Sequence, residues 1–274
     1  MFHIPKLSSN DFGLFRSPGP GLGNLLFPIS RALVGKSNYG GDFLYPTIRQ
    51  FKVGTYIRGE KDKRTYGNNF RRRNSKDWGQ WVGAKLSTKY KEDEIDDSFR
   101  LSEGGSIEYS GLKNYFHDLS GSENLIRDWI NKNSTLINPI KEEYDIGIHI
   151  RMGDFVEAGN SESGHSIRSP IEWYQESYKV ALELLGVKSP RVYLFTDDDP
   201  IELNKKLKID SILADPSGNA ITAITNLSRA KCIITSRSTF SMWAAFLGDS
   251  KAIWSNDFSL ASSFAERKDL DFFV

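Results

Sequence analysis

Four short clusters in this 274-residue chain carry side chains suited to holding an anionic ligand. The densest is His149-Ile150-Arg151-Met152-Gly153-Asp154, where strand alternation places His149 and Arg151 on the face opposite Ile148 and Ile150. A guanidinium there offers a planar, permanently charged fork for phosphate oxygens. The same two residues also read as a buried His and Arg satisfied by neighbours such as Asp154. In Thr196-Asp197-Asp198-Asp199, Asp199 precedes Pro200 and is explained as a helix cap. Asp197 or Asp198 has the two acceptor oxygens that match the N–H donors of a guanine edge. Mg²⁺ ligation is the alternative, but the local sequence supplies no other hard ligand. The run Thr235-Ser236-Arg237-Ser238-Thr239 follows a strand and opens a helix, so its hydroxyls and free amides either nest an anion or simply cap the helix. Finally, Gly19-Pro20-Gly21-Leu22-Gly23-Asn24 lacks the third glycine of a dinucleotide fingerprint and the Gly-Lys-Ser/Thr of a Walker loop. What remains is a turn that lets a pyrophosphate or sugar hydroxyl approach the backbone, or a turn with a structural role alone.

The elements that must position these clusters are clearest in the second half, where strands and helices alternate as in a parallel α/β sheet. Strands are expected at 146–150, 192–195, 212–214, 232–235 and 252–254. Helices are expected at 200–208, 220–229 and 239–247, and after Ser169 as N-cap, Pro170 at the first helical position and Glu172 closing a capping box. Phe240, Trp243, Ala244 and Leu247 are spaced as a core face. In such sheets ligands bind beyond the carboxyl ends of the strands, so the residues after Ile150, Phe195 and Thr235 are expected to converge. In the first half a helix is expected after the glycine loop, with Asn24 as its cap. A short amphipathic helix is expected over 122–130, a link over 131–143, and loop-rich α/β structure over 36–118. The domains expected are 1–140, on the acceptor side, and 141–274, Rossmann-like and nucleotide-sugar-binding.

Composition excludes other classes. With 36 Lys+Arg against 35 Asp+Glu and 39% hydrophobic residues, the chain is globular rather than disordered or fibrous. The single cysteine, Cys232, permits no internal disulfide and no cysteine-rich zinc cluster, and the four histidines are scattered. No uncharged apolar run approaches the roughly 20 residues needed to cross a bilayer, and the first ten residues lack a signal-peptide core, so a cytoplasmic protein is expected. Residues 49–91 hold thirteen basic and three acidic residues, interleaved with Tyr56, Tyr66, Phe70, Trp78 and Trp81. This stretch reads as a solvated or acceptor-side surface, or as a contact with anionic lipid or lipid pyrophosphate at the inner membrane face. Nucleic acid is disfavoured, because no nucleic-acid-binding motif accompanies the charge.

Taken in order, Gly21-Leu22-Gly23-Asn24, His149-x-Arg151-x-x-Asp154, Thr196-Asp197-Asp198 and Ser236-Arg-Ser-Thr-Phe-Ser-x-Trp243 resemble the motifs of the α1,2-fucosyltransferase family and its α1,6- and protein O-fucosyltransferase relatives. Leu227 and Cys232 stand in the register that family shows. The frame runs from Gly21 to about Leu247, with 36–143 unmatched. The resemblance implies a GT-B-like fold of two Rossmann-like halves and an inverting glycosyl transfer from GDP-fucose to a saccharide hydroxyl without a metal. The acceptor would be an oligosaccharide or lipid-linked saccharide, in bacterial surface-polysaccharide or O-antigen synthesis. By position, Arg151 would bind the donor pyrophosphate, Ser238 and Thr239 the β-phosphate, His149 and Asp198, with Asp197 beside it, the guanosine side, and Gly21, Gly23 and Asn24 would line the crevice. Asp154, or Glu157, would serve as base, unless Asp154 orients Arg151 or caps a turn. Met152 stands where a second arginine is expected, Arg237 replaces the usual Asn or Ser, and Pro28 is expected to interrupt the first helix. These departures leave room for another GDP-deoxysugar, or for a non-catalytic nucleotide- or phosphosaccharide-binding protein.

Overall fold

A computed structural model describes residues 1–17, 19–52, 54, 57, 65–95, 105–152, 167–258, 267 and 269–274. The chain divides into two compact units, Met1–Thr135 and Leu136–Val274. Among the described residues no helix is long and apolar enough to cross a membrane.

The N-terminal unit contains β1 (Phe2–Lys6), β2 (Asn10–Asp11), β3 (Arg16–Ser17), α1 (Leu22–Tyr39), β4 (Asp42–Phe43), α2 (Ser75–Leu86), β5 (Lys89–Lys91), β6 (Ser106–Ser110) and α3 (Glu123–Asn133). Its four-stranded sheet has the order β4-β1-β6-β5, with every pair parallel. β1 tolerates Pro5 because β4 pairs only with Phe2 and His3, so the missing N–H falls where that side of β1 has no ladder partner.

The start of α1 departs from the sequence reading. Gly21, not Asn24, occupies the cap position, and Asn24 lies in the first turn with its amide bonded to the Gly21 carbonyl at 3.1 Å. A glycine has no side chain with which to cap, and the Tyr66 hydroxyl takes the Leu22 N–H instead, at 3.2 Å. Pro28 does not interrupt the helix, which continues to Tyr39. The proline forfeits one bond to the Asn24 carbonyl and costs about 3 kcal/mol. Burial of Leu25, Leu26, Phe27, Ile29 and Leu33 along the same helix offsets that loss.

Gly19 is required for a different reason. A Cβ there would lie 1.9 Å from Arg16 Nη1 and 2.4 Å from Gln50 Oε1. Arg16 is 1% exposed, its Nε and Nη2 have no hydrogen-bond partner, and burial lowers its pKa to about 10. With no room for the guanidinium to retreat, Gly19→Ala is expected to destabilise the protein by about 1–3 kcal/mol, read as a lowered midpoint in urea.

The C-terminal unit contains β7 (Tyr144–Ile150), α4 (Ile171–Leu185), β8 (Val192–Thr196), α5 (Pro200–Leu207), β9 (Ile212–Ala214), α6 (Ala220–Leu227), β10 (Ala230–Ile234), α7 (Thr239–Leu247), β11 (Lys251–Trp254) and β12 (Asp271–Phe273). The sheet is fully parallel in the order β12-β11-β10-β7-β8-β9. Its core joins Ile146, Ile148 and Ile150 to Leu194, Cys232, Ile234 and Ile253. Asp199 caps α5 by accepting from the Ile201 amide at 2.9 Å, with Pro200 at the first helical position. α4 begins one residue later than read. Pro170 holds the cap position in an extended conformation, so Ser169 lies outside the helix and the capping box does not form. Gly186 ends α4 in the left-handed region, at φ 63°. The topology sets the ligand crevice. From β7 the chain moves outward through β8 to β9, then returns by α6 to β10 on the other flank of β7, so the strand order reverses between β7 and β10.

Candidate active site

At this reversal β7 and β10 end side by side, with Ile148 the register partner of Ile234. His149 is 5% exposed and turns inward. Its Nδ1 lies 2.6 Å from Ser241 Oγ and 2.8 Å from Ser236 Oγ, and its ring stacks on Phe240 with centroids 4.6 Å apart. The last residues of β7 and the loop into α7 are therefore joined by one polar knot. The Ser236 amide donates to Ser241 Oγ at 3.0 Å, and the Ser236 and Ser238 hydroxyls are 2.9 Å apart. Ser238 caps α7 without committing its hydroxyl to the helix amides.

Burial, and then the neighbouring Arg151 charge, lower the His149 pKa to about 3. The folded protein therefore needs the neutral ring, whereas the unfolded chain binds a proton near pH 6.5. Stability from this group is complete above pH 6.5 and falls as pH drops towards 3, by about 2 kcal/mol at pH 5. Urea unfolding at pH 7 and pH 5 is expected to show that extra loss in the wild type and not in His149→Gln.

Arg151 lies just past β7, where Nη1 meets Asp197 Oδ2 at 2.7 Å; both side chains are about a quarter exposed, at 25% and 26%. Asp197 also accepts from the Met152 amide at 2.8 Å. Both carboxylate oxygens of Asp197 thus fix the turn after β7 to the turn after β8. Asp198 has an exposed side chain, and its amide donates to Thr196 Oγ1 at 3.1 Å. Arg237 pairs with Asp257, so its charge is locally neutralised. The sequence reading missed Arg168, whose Nε donates to the Met152 carbonyl at 3.0 Å and brings a second guanidinium to the end of β7. No local spacing signals it.

His149, Arg151, Asp197, Asp198, Ser238 and Thr239 therefore gather at the carboxyl end of one sheet. Gly21, Gly23 and Asn24 lie in the other unit, at the start of α1. Asn24 there lines a cavity of about 420 Å³ with Lys6, Leu7, Pro20 and Ser110. Asp154 and Glu157 lie outside the described residues, as do Tyr56, Lys61, Lys63 and Arg64 of the basic stretch. Among the described residues no group of three or more His, Cys, Asp or Glu side chains is placed to hold a metal ion.

A guanidinium, a hydroxyl-rich loop and a helix start at the reversal point of a parallel sheet define an α/β protein equipped for phosphate-bearing ligands. The model of glycosyl transferase family 11 matches residues 117–272, more than half of the chain. The chain belongs to this family of fucosyltransferases and is a glycosyltransferase. No curated protein gives a significant match. Among solved structures the chain is similar to the fucosyltransferase NodZ from Bradyrhizobium, at 13% identity and a TM-score of 0.44, covering 83% of this chain and 90% of that one. It is also similar to POFUT1 in complex with GDP, at 14% identity and a TM-score of 0.33, over 54% and 53% of the two chains. The E. coli heptosyltransferase WaaC with ADP aligns at 10% identity and a TM-score of 0.47, over 93% and 90%.

Proposed function

We propose that the protein transfers L-fucose with inversion from GDP-fucose to a hydroxyl of an oligosaccharide or lipid-linked saccharide, with α1,2-like chemistry, in bacterial surface-polysaccharide assembly at the cytoplasmic side of the membrane. What supports this reading is that β7, which ends just before Arg151, and β10, which leads into the Ser236–Thr239 loop, are parallel neighbours, with His149 of β7 bonded to Ser236 of that loop. Cleaving a sugar–pyrophosphate bond builds negative charge on departing GDP and oxocarbenium character on the sugar. Positive groups at the β-phosphate therefore favour the transition state over the bound ground state.

In this assignment Arg151 leaves Asp197 to clasp the pyrophosphate, the Ser238 and Thr239 hydroxyls and the α7 amides hold the β-phosphate, and Asp198 accepts from the guanine edge. Arg168 supplies the second positive charge that Met152 does not. His149, expected at the guanosine, is assigned here to positioning the loop, which its burial and its bond to Ser241 support. Asp197 likewise positions Arg151. Gly21, Gly23 and Asn24 are the contribution assigned to the N-terminal unit within a GT-B-like arrangement. Asp154 is assigned as base for the acceptor hydroxyl, with Glu157 its rival. Proton loss late in the transfer asks only for a modest base.

The test is GDP release from GDP-fucose in EDTA with a panel of saccharide acceptors. Acceptor-dependent release without divalent metal is expected. Tight GDP binding with no turnover would contradict the transferase reading, and release only from another GDP-deoxysugar would overturn the donor assignment.

A further inference from the structure

The basic stretch that the family motifs leave unmatched builds a cavity of about 570 Å³ inside the N-terminal unit. Four arginines line it, and they divide into two kinds. Arg71 is committed to the fold: Nη1 and Nη2 grip Asp77 at 2.5 and 3.3 Å, Nε donates to Asn133 at 2.9 Å, and the guanidinium lies 4.0 Å from the Tyr45 ring centroid. Arg73 is committed as well, donating to the Tyr45 carbonyl at 3.1 and 2.9 Å and to the Gly13 carbonyl at 2.9 Å. Arg49 and Arg72 are different. Both are exposed, and neither has a carboxylate within ion-pair distance among the described residues. The cavity lining also includes half-buried Trp78 and Phe70, the latter buried against Trp129 with ring centroids 5.6 Å apart.

We propose that this cavity is a binding site for an anionic saccharide, with a phosphate or carboxylate taken by Arg49 and Arg72 and a pyranose ring laid against Trp78. Arginine suits planar recognition of either anion by paired N–H donors, and the apolar face of a sugar ring packs on an aromatic wall. Arg71 and Arg73 serve as scaffold, holding the loop walls together. A cavity of this size accommodates a small ligand rather than a strand of nucleic acid, which needs a continuous groove with stacking platforms. The inference rests on the acceptor reading above. It names the acceptor class, a saccharide bearing a phosphate or a uronate, and gives the unmatched arginines a task.

The experiment is isothermal titration of the full chain, saturated with GDP so that the donor site is filled, using glucose 1-phosphate, glucuronic acid and glucose. At least one anionic sugar is expected to bind about tenfold or more tightly than glucose, and the ranking of the two anions tells phosphate from carboxylate. In Arg49→Ala/Arg72→Ala that preference is expected to vanish while the melting temperature stays within a degree or two, because neither side chain is tied into the fold. Trp78→Ala is expected to weaken all three sugars. Equal binding of charged and neutral sugars, or a double variant that retains the preference, would overturn the proposal. Failure of GDP itself to bind would instead strike the donor reading, while the sugar titrations still report on the cavity.

Discussion

On the proposed assignment, replacing Arg151 by alanine is expected to lower kcat by about 10²- to 10³-fold, the usual consequence of deleting a preorganised donor at a developing anion. The loss is expected to fall on turnover, because in that assignment the guanidinium does most when charge accumulates on the departing diphosphate. The fold is expected to survive, since Arg151 and Asp197 are both about a quarter exposed and such a pair is worth at most about 1 kcal/mol. Arg151→Lys keeps the charge but loses the planar fork, so partial recovery is expected. Steady-state kinetics beside a thermal melt separate the catalytic effect from unfolding. A variant with full activity contradicts the assignment.

The second large effect is expected from His149→Ala. Ser236 and Ser241, 3% and 0% exposed, lose their shared partner, and the ring's place against Phe240 becomes a void. The two hydroxyls keep their bonds within the loop, so the cost comes from the lost link to β7 and from the cavity, together about 3 kcal/mol. Activity falls with stability, because the loop bearing Ser238 is no longer fixed to the end of β7. His149→Gln, which keeps a polar group at this position, recovers part of both. The pH profile of turnover distinguishes positioning from proton transfer. A ring whose pKa is about 3 contributes no inflection between pH 5 and 8. An inflection near pH 6.5 in the wild type that disappears in the glutamine variant would give His149 a direct role in the chemistry.

The parts legible in the sequence are those written locally. The alternating isoleucines of β7, the Asp199-Pro200 start of α5 and the Ser-rich entry to α7 each lie within a few residues, so pattern reading finds them. The misreadings come from partners distant in sequence. Asn24 resembles a cap, but the Leu22 amide is taken by Tyr66, 44 positions on from Leu22. The partners of Asp197 are equally hidden from local pattern: it holds Arg151 and the Met152 amide, 45 positions back. β1 goes unread, and its Pro5 is tolerated because β4 reaches only Phe2 and His3. Likewise, the thirteen basic residues of 49–91 form one charge run in sequence, and only the structure separates Arg71 and Arg73, bound into the fold, from Arg49 and Arg72, which are not.

The most direct measurement is a crystal structure of the protein with GDP. The diphosphate is expected at the carboxyl end of β7 and β10, with the Arg151 fork turned from Asp197 onto its oxygens and the Ser238 and Thr239 hydroxyls on the β-phosphate. Nucleotide bound elsewhere, with Arg151 still paired to Asp197, would contradict the assignment.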